Sequence, residues 1–143
     1  MIKNERQYKI TRSRLDEMRN AITELLAAPL PKGLQPEMRE LQLEALRGTS
    51  GDLELELAEY DSLHDATLLE ATGIEQLPIA LIRARIACGL TQRQLAEKLG
   101  LQEQAIQRYE STNYAGASFD RLVQIAEALD LTIHYDVRLA SAS

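Results

Sequence analysis

The chain has 143 residues, room for about one domain or a small domain with an appendage; at 45% apolar and 27% charged it can bury a core and stay soluble. Tryptophan is absent and aromatics reach only 4%, which argues against a base-stacking nucleic-acid module and against a large β-sandwich core. A formal net charge of −6 speaks against a nucleic-acid partner, but an average can hide a local surface.

No run approaches 18 apolar residues, so no membrane span is expected. The first six residues, Met1 to Arg6, lack an apolar signal core, and the expected location is cytoplasmic. A single cysteine, Cys88, excludes an internal disulfide and a cysteine-based zinc site.

The charge is unevenly placed. Residues 1–73 carry 9 Lys and Arg against 14 Asp and Glu, a net of −5, whereas residues 74–143 carry 7 against 8. Residues 1–28 are basic, and no Lys or Arg falls between Arg47 and Arg83. That interval holds Asp52, Glu54, Glu56, Glu59, Asp61, Asp65, Glu70 and Glu75. It is either a solvated helix face or a docking surface for a basic protein.

Tyr8, Thr11, Leu15, Met18, Ile22 and Leu25 alternate at spacings of three and four, the stripe of one amphipathic helix. Pro29 and Pro31 end it, and Pro36 suits the first turn of a second helix. There Leu43, Leu46, Ser50, Leu53, Leu57 and Tyr60 repeat the spacing. The phase survives Gly48 and Gly51, which favours one long helix, although each glycine invites fraying or a kink. Two helices joined by a short loop most simply pack antiparallel. Too few heptads are present to separate an internal hairpin from a dimerising coiled coil. Residues 1–71 are thus expected to form a helical hairpin, for dimerisation or partner binding, ending in a short strand at 66–71. Residues 72–143 form the second predicted domain, closed by a strand at 131–139 rich in Thr, Ile, Tyr and Val. Neither strand can stand alone, so the two are expected to pair with each other or with the copy from a second subunit. His64 and His134 are far apart in sequence, and no metal site is expected.

Residues 74–88 outline a helix with Leu81, Ile82 and Ile86 inward, closed by Cys88, expected as buried filler, and Gly89. Thr91 is placed as the N-cap of the next helix. Leu95 and Leu99 point to the core, Ala96 is small where helices approach, and Gly100 suits a tight turn. Leu101, Ile106 and Tyr109 supply the buried face of the following helix. A small residue, glycine four later and a branched aliphatic six beyond that is the packing pattern of a helix-turn-helix.

Thr91, Gln92, Leu95, Ala96, Gly100, Ile106 and Glu110 together resemble the phage-repressor-like helix-turn-helix family, the Cro/xenobiotic-response-element class, over residues 77–131. A further helix from Ser118 to Leu129 falls where that family has its next one. The resemblance implies a mainly α fold, with a five-helix DNA-binding unit following the hairpin. It also implies that Gln92 donates to a DNA phosphate and braces the next helix. Gln102, Glu103, Gln104, Gln107 and Arg108 would enter the major groove, where Gln pairs with adenine, Arg with guanine and Glu with cytosine. Arg85 and Glu110 match a structural ion pair of the family.

The loop after the recognition helix, 111–117, departs from the family in carrying no charge. Asn113 and Tyr114 are therefore the expected phosphate donors there, with Arg93, Lys98 and Arg121 nearby in sequence. Few cations imply weak binding per subunit, which a homodimer on a palindromic operator would offset.

The expected activity is that of a sequence-specific, dimeric transcriptional repressor, similar also to HigA-type antitoxins, whose partner would be a small basic toxin. The alternative is a protein-interaction adaptor that uses the fold without DNA. No nucleotide loop, nucleophile grouping or metal pair supports an enzyme, and no cofactor is expected.

Overall fold

The computed structural model describes residues 1–140, which divide into two compact units at Glu70 and Ala71. Among the described residues there are six α-helices and no strand. No described helix is long and apolar enough to cross a membrane.

The first unit is a helical hairpin. Helix α1 spans Glu5–Ala27, its N-cap Asn4 accepting a hydrogen bond from the Gln7 amide at 2.9 Å. Helix α2 spans Pro36–Leu63 without a break at Gly48 or Gly51, so the continuous apolar phase prevails over the two glycines. The helices run antiparallel. Tyr8 Oη donates to Asp61 at 3.1 Å near one end, and Arg19 meets Glu54 at 2.9 Å further along. Near the other end, Arg39 of α2 donates to the Leu25 and Ala28 carbonyls, covering the negative end of α1. Ile2, Leu15 and Leu57 form a dry centre, with Tyr8, Leu53 and Tyr60 packed against it.

A β-carbon placed on either helical glycine would meet nothing within 4 Å. Gly48→Ala and Gly51→Ala are each expected to stabilise the hairpin by about 0.5–1 kcal/mol, because alanine lowers the entropy of the unfolded chain without a clash. Urea denaturation checks this; a destabilised variant would mean the added methyl is not accommodated.

Neither stretch expected to be extended is shown as a strand among the described residues. Residues 66–71 form no strand, and Leu68 is exposed. The strand at 131–139 is not shown either: residues 131–140 lie outside any helix, with no backbone ladder. The physical reason is common to both, since a strand is held by its neighbour and neither segment has one among the described residues.

In the second unit a 3-10 turn at Ile74–Gln76 leads into α3 (Leu77–Ala87), α4 (Gln92–Leu99), α5 (Glu103–Ser111) and α6 (Phe119–Ala128). Among the described residues of this unit the count is four α-helices, not the five expected. Leu81, Ile82, Leu95, Ile106 and Ile125 are fully buried and make the core. Ala96, 1% exposed, permits the close approach of helices.

The helix ends follow a repeated device. Gly89, Gly100, Asn113 and Asp130 each take a left-handed conformation, with φ of 67°, 67°, 50° and 54°. The next residue's amide then reaches back five positions: Leu90 to Arg85, Leu101 to Ala96, Tyr114 to Tyr109 and Leu131 to Ala126. Each turn satisfies a carbonyl left open by the helix and redirects the chain sharply. Cys88 lies at one such end and is exposed, its thiol 3.9 Å from the Leu129 carbonyl, so it is not the buried filler expected.

Candidate nucleic-acid interface

Helix α4 begins with a reciprocal cap. Thr91 Oγ1 accepts from the Gln94 amide at 3.1 Å, and the Thr91 amide donates to Gln94 Oε1 at 2.9 Å. Gly100 then turns the chain into α5, entered at Gln102, whose side chain makes no capping bond to its own helix.

Helix α5 is divided by its own periodicity. Ile106 and Glu110 are buried, and Ala105 and Tyr109 are half-buried. Glu103, Gln104, Gln107 and Arg108 are exposed, at the i, i+1, i+4 and i+5 positions of one outward face, and Gln102 is exposed just before them. Gln107 Nε2 donates to Glu103 Oε1 at 3.1 Å, which holds that carboxylate along the helix surface. The exposed face presents amide donors and acceptors, one guanidinium and one carboxylate, groups that can pair with base edges in a groove wide enough for a helix.

The opposite face of α5 is fixed by a buried polar cluster. Arg85 of α3 grips Glu110 with two nitrogens, Nε to Oε1 at 2.6 Å and Nη2 to Oε2 at 2.8 Å. Arg85 Nη1 also donates to the Leu90 carbonyl at 2.7 Å. Gln92 Nε2, from the first turn of α4, donates to Glu110 Oε2 at 2.7 Å. Arg85 is 2% exposed and Glu110 0%, so both charges are compensated in a dry setting by paired donors and acceptors. Three helices are thereby tied at one carboxylate.

Two expected phosphate donors are placed differently. Gln92 is 7% exposed and its amide is directed at Glu110, so bracing α5 is the role its position gives it. Tyr114 is 3% exposed, with its ring stacked on Tyr109 at 5.7 Å between centroids. Its buried hydroxyl has no hydrogen-bond partner among the described residues. Burial, reinforced by the nearby Glu110 carboxylate and opposed by Arg85, pushes the Tyr114 hydroxyl well above the usual phenol range. Tyr114 is therefore a neutral plug under the loop and not a surface donor.

Asn113 remains at the surface, displayed by its left-handed backbone. Arg93 is exposed too, but shares its charge with Glu97 at 3.1 Å. Lys98 and Arg108 are exposed, and Arg121 is half-buried. Lys98, expected from its sequence position to lie near the motif, sits in the last turn of α4.

Residues 81–135 match the helix-turn-helix family model. That match, spanning less than half of the chain, supports a Cro/C1-type helix-turn-helix regulator family for this region and, with it, a DNA-binding regulator of transcription. Neither a curated protein nor a solved structure matches the chain.

Proposed function

We propose that the chain is a sequence-specific transcriptional repressor that binds a palindromic operator as a homodimer, with the outward face of α5 in the major groove. The observation that carries this reading is the division of α5. Its inner face is anchored through Ile106 and Glu110, while Gln104, Gln107 and Arg108 stand outward with base-pairing chemistry. A helix whose inner side is fixed this firmly presents its outer side in a defined orientation, which direct readout requires.

Phosphate gripping is thin. With Gln92 and Tyr114 turned inward, it falls to Asn113, Arg93, Lys98 and the neighbouring backbone amides. Affinity per subunit is expected to be modest and its salt dependence shallow, and two half-sites restore it.

A gel shift against the chain's own upstream region at low salt tests the reading; no shifted palindromic segment at micromolar protein would overturn it in favour of a protein-interaction adaptor. Gln104→Ala and Arg108→Ala are each expected to cost about 1–3 kcal/mol at the operator and little on random DNA. Equal losses on both would show that these side chains touch phosphates and do not read bases.

An additional antitoxin role draws on the exposed acids of the hairpin, among them Asp52, Glu59 and Asp65, which suit a small basic toxin. Part of that acidity is already engaged within the hairpin, at Glu54 by Arg19 and at Asp61 by Tyr8. A small basic protein encoded next to this chain and co-purifying with it would support the role, and its absence from both would count against it.

A further inference from the structure

Asp130 turns the chain out of α6, and the segment beyond it carries apolar side chains that nothing covers among the described residues. Leu131, Ile133, Tyr135, Val137 and Leu139 alternate strictly with Thr132, His134, Asp136 and Arg138. Ile133, Tyr135, Val137 and Leu139 are 41%, 49%, 89% and 92% exposed. A period of two over nine residues, with β-branched and aromatic residues on the apolar side, is the pattern of a strand with one dry face. Yet the described chain supplies no strand to pair with it.

We propose that residues 131–139 become a strand between two copies of this chain, paired antiparallel about a two-fold axis through Tyr135. This rests on the dimeric part of the functional reading above and names the surface that makes the dimer.

A second copy is favoured because the segment is complementary to itself. With Tyr135 opposite its own copy, Ile133 faces Val137 and Leu131 faces Leu139, so the dry face is apolar along its whole length. On the other face His134 lies opposite Asp136, an imidazole donor against a carboxylate, and Thr132 lies opposite Arg138. The symmetry produces each of these pairs twice. Other symmetric registers are poorer. Centring on Asp136 opposes the two Asp136 carboxylates and sets His134 against Arg138. Centring on His134 leaves Leu139 without an apolar partner. A register shifted by an odd number of residues would bring apolar side chains to the wet face. A two-stranded ribbon is marginal alone and needs apolar cover. The same unit leaves Phe119 and Val123 of α6 exposed.

Cross-linking of the full-length chain in a Cys88→Ser background tests the pairing. Tyr135→Cys places the two thiols across the axis, within reach of a disulfide, and a linked dimer is expected on a non-reducing gel. Leu139→Cys puts them at opposite ends of the ribbon, about 25 Å apart, and little linkage is expected. Sedimentation equilibrium gives the second reading. His134→Asp sets carboxylates opposite one another and is expected to weaken the dimer about tenfold, since the clash occurs twice. Adding Asp136→His restores the opposed pair and the affinity. A dimeric parent chain whose Tyr135→Cys variant fails to link, or whose His134→Asp variant dimerises unchanged, overturns the strand while leaving a dimeric regulator intact. A parent chain that stays monomeric at micromolar concentration overturns the strand and the dimer together, whereas the operator gel shift reports on DNA binding independently.

Discussion

Glu110→Ala is expected to destabilise the second unit by about 3–5 kcal/mol, because it leaves the buried Arg85 guanidinium without its carboxylate. Domains of this size have only about 5–15 kcal/mol in total, so the variant sits near the edge of folding. Urea denaturation followed residue by residue by amide exchange checks the size and place of the effect. The exchange of α3–α6 should accelerate, while that of α1 and α2 stays as it was. Removing both charges should be far milder: Arg85→Met with Glu110→Leu replaces the pair by apolar groups of similar volume and is expected to recover most of the loss. A loss below about 1 kcal/mol for Glu110→Ala would mean that the guanidinium finds water or another partner, and that the cluster does not hold the helices.

The location of that carboxylate explains why its loss should be felt so widely. Glu110 is in the last turn of α5, where the helix dipole disfavours a negative charge, and it is fully removed from water. The bidentate guanidinium and the Gln92 amide offset these two costs. Arg85, Gln92 and Glu110 come from α3, α4 and α5, so the geometry of the turn and the angle of the outward face depend on one set of short bonds.

Local pattern is enough to locate the helices. The three-and-four stripes mark α1 and α2, the Thr91 cap begins α4, and Gly100 closes it. Asn113 and Asp130 are harder, since both also suit surface loops; only the reach of the following amide to a carbonyl five residues back identifies them as helix ends. Tyr114 and Cys88 reverse their expected places for a related reason. Outside a helix there is no periodicity to say which way a side chain points, and the left-handed pair Asn113–Tyr114 swings the phenol under Tyr109. Arg39 over the end of α1 is illegible in the sequence because its acceptors lie on the other helix. The alternation at 131–139 expresses a strand propensity, but pairing is a property of two segments, and one sequence of nine residues holds only half of it.

The division of α5 into an anchored side and a reading side leads to a second large effect. Ile106 is fully buried at the middle of the helix, and Ile106→Ala is expected to cost about 2–5 kcal/mol through lost burial and the cavity left behind. In a unit this small that lowers the melting temperature by more than about 10 °C. Gln104 and Arg108 stand two residues either side of Ile106, about 200° away around the helix, so the truncation does not touch them. At a temperature well below its own midpoint, then, Ile106→Ala should bind the operator within a few-fold of the parent, because apparent affinity falls only with the folded fraction. Gln104→Ala should behave in the opposite way, with an unchanged melting temperature and markedly weaker operator binding. Thermal melts and gel shifts on the two variants, made side by side, separate these outcomes. If Ile106→Ala lost affinity as severely as Gln104→Ala while fully folded, the helix would be transmitting core packing directly into its reading face, and the two sides of α5 could not be treated as independent.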